Sequence, residues 1–170
     1  MGIRGALKPV ALAGVVGFGL LQLVPYGWRH SNPPVVSTVA WPSAEVERLA
    51  RAACYDCHSN ETEWPAYSYV APMSWLVRYD IDRGRDALNF STGADDLHDA
   101  AEKVDDRSMP PDRYVRLHPD ARLSASERQV LAAALGGLDE EGGGGGNRGP
   151  GGGDSGGGDN SGPGGGGESD

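Results

Sequence analysis

From Pro9 to Pro25 the chain carries no charge and only one strongly polar side chain, Gln22. Seventeen helical residues reach about 25 Å, the short limit for crossing a bilayer. A helix that is apolar on every side belongs in lipid or in a large core, and Gly14, Gly17 and Gly19 weaken the second reading. The run ends in VPYGWRH instead of a small-residue cleavage site, which favours a retained anchor over a removed signal sequence. Arg4 and Lys8 before the run, with Tyr26, Trp28 and Arg29 after it, orient the N-terminus to the cytoplasm and the remainder outside. Residues 1–28 are therefore expected to form a transmembrane helix. Residues 29–40 follow as an extended stalk, because Pro33, Pro34 and Pro42 disfavour helix around them.

Helical spacing returns at Val46, Leu49, Ala50 and Ala53, with Ser43 as N-cap and Glu45 in the first turn. This stripe brings Cys54 to the helix end near the buried face. An aromatic loop leads to a second helix through Trp75, Leu76 and Tyr79, which Gly84 is expected to break. Thr92 and Asp95 stand at capping-box spacing before a third helix. Pro110, Pro111 and Pro119 exclude a continuous helix through RSMPPDRYVRLHPDAR. The last helix is marked by a Ser124–Glu127 capping box and by Val130, Leu131, Ala134 and Leu135, with Gly136-Gly137 as its stop. No segment alternates like a strand. The expectation is a small all-α domain over residues 41–138.

Composition changes the picture at the C-terminus. Of 27 glycines, 17 fall in residues 139–170, where no apolar side chain exceeds proline. Such a segment cannot bury enough surface to offset its ordering entropy, so it reads as a disordered acidic tail. Of the net charge of −9, −6 belongs to this tail and −3 to the remainder. No basic patch points to nucleic acid.

The candidate chemistry lies in ACYDCHSN. Cys54 and Cys57 are the only cysteines, and His58 follows directly. Two thiols three residues apart can add across the two vinyl groups of one porphyrin, and an imidazole beside the second can reach the iron; C-x-x-C-H is the signature of haem c attachment. Zinc would need further ligands, and His30, His98 and His118 lack the required spacing. A redox dithiol expects a βαβ context, and a disulfide here would close too short a loop to stabilise much. Met109, in the proline-fixed SMPP loop, is the candidate sixth ligand; His118 is the alternative, and Met73 and His98 read as core and solvated residues. Trp64, Tyr67, Tyr69 and Trp75 are candidates to line a porphyrin or to make the core of the small domain, and Arg113 and Tyr114 to meet a propionate.

ACYDCHSNETEWPAYSYVAPMSWLV, GRDALNFS and MPPDRYVRLHPDARLSASE resemble the bacterial haem-binding domain family, a cytochrome-c-like group. The resemblance runs from Leu23 to Leu138 and leaves out the glycine-rich tail. It implies that Cys54 and Cys57 attach haem and that His58 is the proximal ligand, without fixing the roles of Met109 or His118. Where relatives continue NFS into x-Trp, this chain has Thr92-Gly93. The resulting expectation is a membrane-anchored, outward-facing monohaem electron carrier rather than an enzyme, with an unidentified redox partner. A haem sensor or peroxidase-like site with a displaceable sixth position is the alternative. So is a subunit that docks to a larger membrane complex.

Overall fold

The computed structural model describes residues 3–94 and 96–142. Helix α1 (Ile3–Leu21) precedes α2 (Ala44–Ala50), a π-helical turn (Arg51–Tyr55) and α3 (Asp56–His58), which continue one another as a single helical rod. A 3₁₀ turn (Ala66–Tyr69) leads into α4 (Met73–Ala87). Then come α5 (Leu97–Asp105), α6 (Asp112–Leu117), a 3₁₀ turn (Pro119–Ala121) and α7 (Ala125–Gly142). Among the described residues there is no strand, only an isolated bridge between Asn89 and Gly93. The expected all-α class therefore holds.

Local chemistry explains most boundaries. The Ser43 hydroxyl accepts the Val46 N–H at 3.2 Å, capping α2. Ser124 and Glu127 bond reciprocally, backbone to side chain, at 3.2 and 2.9 Å. Three expectations are corrected. Helix α4 does not break at Gly84, for a reason that belongs to the site. Helix α7 runs through Gly136-Gly137 to Gly142, because Leu138 still packs on the core beyond the glycines. Helix α5 begins only at Leu97, since Asp96 is left-handed (φ 62°); the Thr92 hydroxyl is turned back to the Asn89 carbonyl, and Asp95, its expected capping partner, lies outside the described residues.

The core is built where α2, α5 and α7 meet. Leu49, Phe90, Leu131 and Leu135 are buried there beside Val46, Tyr55, Leu97 and Val104. Tyr55 stacks on Phe90 at 5.3 Å, and Trp41 meets the same ring edge-on while donating to the Tyr55 hydroxyl.

Among the described residues no helix is long and apolar enough to cross a membrane. The transmembrane helix expected over residues 1–28 is thus not found among the described residues. The charge-free run stays helical only from Pro9 to Leu21, about 20 Å, because the chain turns at Gln22. The 29–40 segment has no regular structure and lies along the domain: Asn32 bonds Thr62, the Pro34 carbonyl accepts Asn60, and Val36 and Ser37 donate to the Ser91 carbonyl. The tail beyond Gly142 lies outside the described residues.

Candidate functional site

The helical rod delivers Ala53, Cys54, Cys57 and His58 to one cleft. Its two connected parts, of about 490 and 230 Å³, share Ala53, Cys54, His58, Ala87 and Met109. Leu88, Phe90, Asp96, Asp99, Ala100, Lys103, Val104 and Leu135 complete one part; Cys57, Tyr79, Asp80, Arg83, Gly84, Pro111, Arg113 and Tyr114 complete the other. Both cysteines are free thiols. The structure thus brings Met109 into the cleft that contains His58.

His58 is held by its own backbone context. Its Nδ1–H donates to the Leu88 carbonyl at 3.2 Å, the tautomer that leaves Nε2 as the ligating nitrogen. Burial lowers the ring's pKa, against the opposing pull of the Leu88 and Gly84 carbonyls. A neutral, oriented imidazole is what an iron site asks of its proximal ligand.

The loop after His58 is fixed by a network that turns the S-N-x-T and L-N-F-S segments into one unit. Ser59 donates to the Tyr55 carbonyl at 2.7 Å, and Thr62 donates to the Asp56 carbonyl at 2.7 Å. Asn60 receives the Asn89 amide at 3.0 Å and gives its backbone N–H to Ser91. Phe90 donates to the His58 carbonyl at 2.8 Å. Arg85 closes the network from α4, donating to the Ser59 carbonyl at 2.8 Å and to Thr62 and Asn32 at 2.9 Å. Ser59, Asn60, Thr62 and Ser91 are buried, so each needs these partners.

Gly84 was expected to interrupt a helix and instead permits a contact. There α4 crosses α3 so closely that a Cβ would overlap the Cys57 carbonyl oxygen and stand 2.9 Å from its carbonyl carbon. Neither Gly84 nor Arg85 stood out as functional in the sequence, although both fall inside the GRDALNFS segment.

His118 does not line the His58 cleft but an adjoining apolar cavity of about 110 Å³, which shares Cys57, Asp80, Arg113 and Tyr114 with it. There the His118 Nε2 meets the Tyr67 hydroxyl at 2.6 Å and its ring stacks on Tyr114 at 4.2 Å. The Tyr114 hydroxyl donates to Asp56 at 2.8 Å. Burial first, then Asp56, raises the Tyr114 pKa and keeps that proton in place. Met73 faces this second cavity, and His98 lies exposed beside Glu102. Of the four aromatic candidates for porphyrin lining, Trp64, Tyr67, Tyr69 and Trp75, none lines the His58 cleft; Tyr79, Phe90 and Tyr114 do. Arg113 stands at the cleft, paired bidentately with Asp80 at 2.9 and 3.2 Å. Gly93, the departure from the family pattern, is exposed at φ 126° with open space around it.

These residues fit a covalently held haem. Two unpaired thiols share a cleft with an oriented imidazole, a thioether lines the same cleft, and its walls are largely apolar. Burial, with Cys57 nearby, pushes the Cys54 thiol up to about 12; burial with Asp56 and Asp80 does the same for Cys57. In folded apoprotein both thiols should therefore stay protonated, and the stability this confers is lost as pH rises from about 9 towards 12. Iodoacetamide labelling of apoprotein should keep accelerating from pH 8.5 to about 11, whereas the denatured chain plateaus just above about pH 9. Equal profiles would refute the burial argument.

Residues 16–135 match the family described as a haem-binding domain. The chain is also similar to the cytochrome c peroxidase Ccp of Escherichia coli (strain K12), 29% identical over 144 residues that cover 75% of this chain and 31% of that protein. The chain thus spans about a third of that relative's length. No solved structure matches it.

Proposed function

Because the chain belongs to the haem-binding domain family, we propose that it holds one covalent haem c and carries electrons at the outer face of a bacterial membrane. The observation that carries this reading is the shared cleft of Cys54, Cys57, His58 and Met109. Cys54 and Cys57 supply the thioether links. His58, oriented by Leu88, would supply an imidazole nitrogen to the iron, and Met109, in preference to His118, would supply a thioether. When bound, the haem supplies one-electron iron chemistry.

The protein's own contribution is positional. Gly84 lets α4 lie against the attachment turn, and Arg85 with its network holds the loop that leaves His58. Arg83, Arg113 and Lys103 line the cleft together with Asp80, Asp96 and Asp99; Arg113 is paired with Asp80, and Arg83 and Lys103 are the cations offered to propionates. Ligation by a thioether and an imidazole together would suit outer-sphere transfer and would raise the potential relative to two histidines. Helix α1 supports membrane association, since apolar side chains from Leu7 to Leu21 are exposed along it.

A second reading draws on the similarity to cytochrome c peroxidase: the domain serves a peroxide-reducing system as its electron-handling part. Both readings require covalent haem. Protein matured with a haem-c assembly system should show one haem by intact mass and a pyridine haemochrome spectrum typical of two saturated vinyl groups. Haem removed by acidic solvent extraction would overturn the proposal.

A further inference from the structure

We infer that the Trp64–Val77 segment is a second membrane-contacting element, seating the domain directly on a lipid bilayer beside α1. The inference rests on the reading that α1 lies in the membrane. In a chain whose residues are 23% charged, positions 9–28 and 64–77 contain no charged side chain. The fold joins these two stretches.

The join is specific. The Gln22 amide pairs with the backbone of Ala71, accepting its N–H at 2.9 Å and donating to its carbonyl at 3.2 Å. The one strongly polar side chain of the apolar run is thereby satisfied, as an amide near hydrocarbon must be. Gly27, at φ +86°, approaches Ser74 so closely that a Cβ would stand 2.6 Å from its carbonyl oxygen. His30 then stacks on Tyr69 at 3.9 Å, and its ring nitrogens lie 3.0 and 2.9 Å from the Trp28 and Ser68 carbonyls. The segment after α1 is consequently seated on the 3₁₀ turn and on the start of α4.

The surface this creates is apolar and aromatic. Leu23, Tyr26 and Trp28 from the first stretch are exposed, as are Tyr69 and Val70 from the second. Tyrosine and tryptophan among aliphatic side chains, without charge, suit the headgroup boundary of a bilayer. The occupant is lipid because the patch runs on into the exposed apolar side chains of α1, with no pattern of charges for a protein partner to match. It also answers a shortfall: the helical part of the run reaches about 20 Å, against a hydrocarbon core of about 30 Å.

The test uses full-length holoprotein, in which both native thiols are thioethers and one introduced cysteine is the only labelling site. Val70→Cys, Val15→Cys on α1 and Val130→Cys on α7 are each tagged with an environment-sensitive fluorophore and reconstituted into pure phospholipid vesicles. Labels at 15 and 70 should be quenched by brominated acyl chains and shielded several-fold from aqueous iodide, with the label at 130 behaving oppositely. If 15 is shielded while 70 is as open to iodide as 130, this inference fails and the anchor reading stands. If neither is shielded, both fail. A label at 70 hidden from iodide and from brominated lipid alike means that a second copy covers the patch, which also overturns the lipid assignment.

Discussion

Met109→Ala is expected to convert a closed iron centre into an open one. Met109 is the thioether that the fold places in the cleft with His58. Removing it leaves iron with an imidazole and a vacant or water-filled side. Ferric protein should lose the weak far-red methionine–iron band, and ferrous protein should bind carbon monoxide readily, which the parent should not. The reduction potential should fall by about 0.1–0.2 V of the roughly 0.8 V that axial ligation spans. Met109→His should keep the centre six-coordinate at low potential, which separates ligand loss from general damage. His118→Ala should leave band and potential unchanged, since His118 bonds Tyr67 and stacks on Tyr114 in the adjacent cavity. A far-red band that survives Met109→Ala and disappears with His118→Ala would reverse the assignment. Peroxide turnover that appears only in Met109→Ala would show that a closed sixth position, rather than a missing pocket, keeps the parent from peroxide chemistry.

What was legible in the sequence is chemistry that needs few residues at short or fixed spacing. Cys54, Cys57 and His58 share one turn, and Met109 sits in a loop whose prolines announce it. The Ser43 and Ser124 caps were equally local, and both appear in the fold. Gly84 was misread because a helical glycine looks the same whether it weakens a helix or admits a neighbour; the neighbour, Cys57, is far upstream. Gly136-Gly137 was misread in the same direction, as a stop where the helix continues. Tertiary packing of Leu138 outweighs the local cost of two glycines. Trp64, Tyr67, Tyr69 and Trp75 could line a porphyrin or build the core on residue type alone; in the fold Trp64 and Tyr69 meet His30, while Tyr67 turns to His118. His118 competed with Met109 as long as only residue type was visible; its hydrogen bond to Tyr67 is a matter of three-dimensional placement.

Replacing Gly84 should cost the protein its haem. In an exposed helix Gly→Ala gains up to about 1 kcal/mol of propensity, so the substitution would ordinarily stabilise α4. Here the new methyl meets the Cys57 carbonyl group, which is backbone and cannot swing aside. Overpacking of this kind costs about 1–3 kcal/mol, so the clash outweighs the propensity gain and the sign is destabilising. The strain also falls on the residue that must form a thioether and on the carbonyl next to His58. Gly84→Ala should therefore lower both denaturant stability and covalent haem yield, and Gly84→Val should lower them further. Gly137→Ala is the matched control: no atom lies within 4 Å of a Cβ there, so it should raise stability by up to about 1 kcal/mol and leave haem yield unchanged. Should Gly84→Ala instead behave like Gly137→Ala, α4 does not press on the attachment turn, and the positional role given to Gly84 falls.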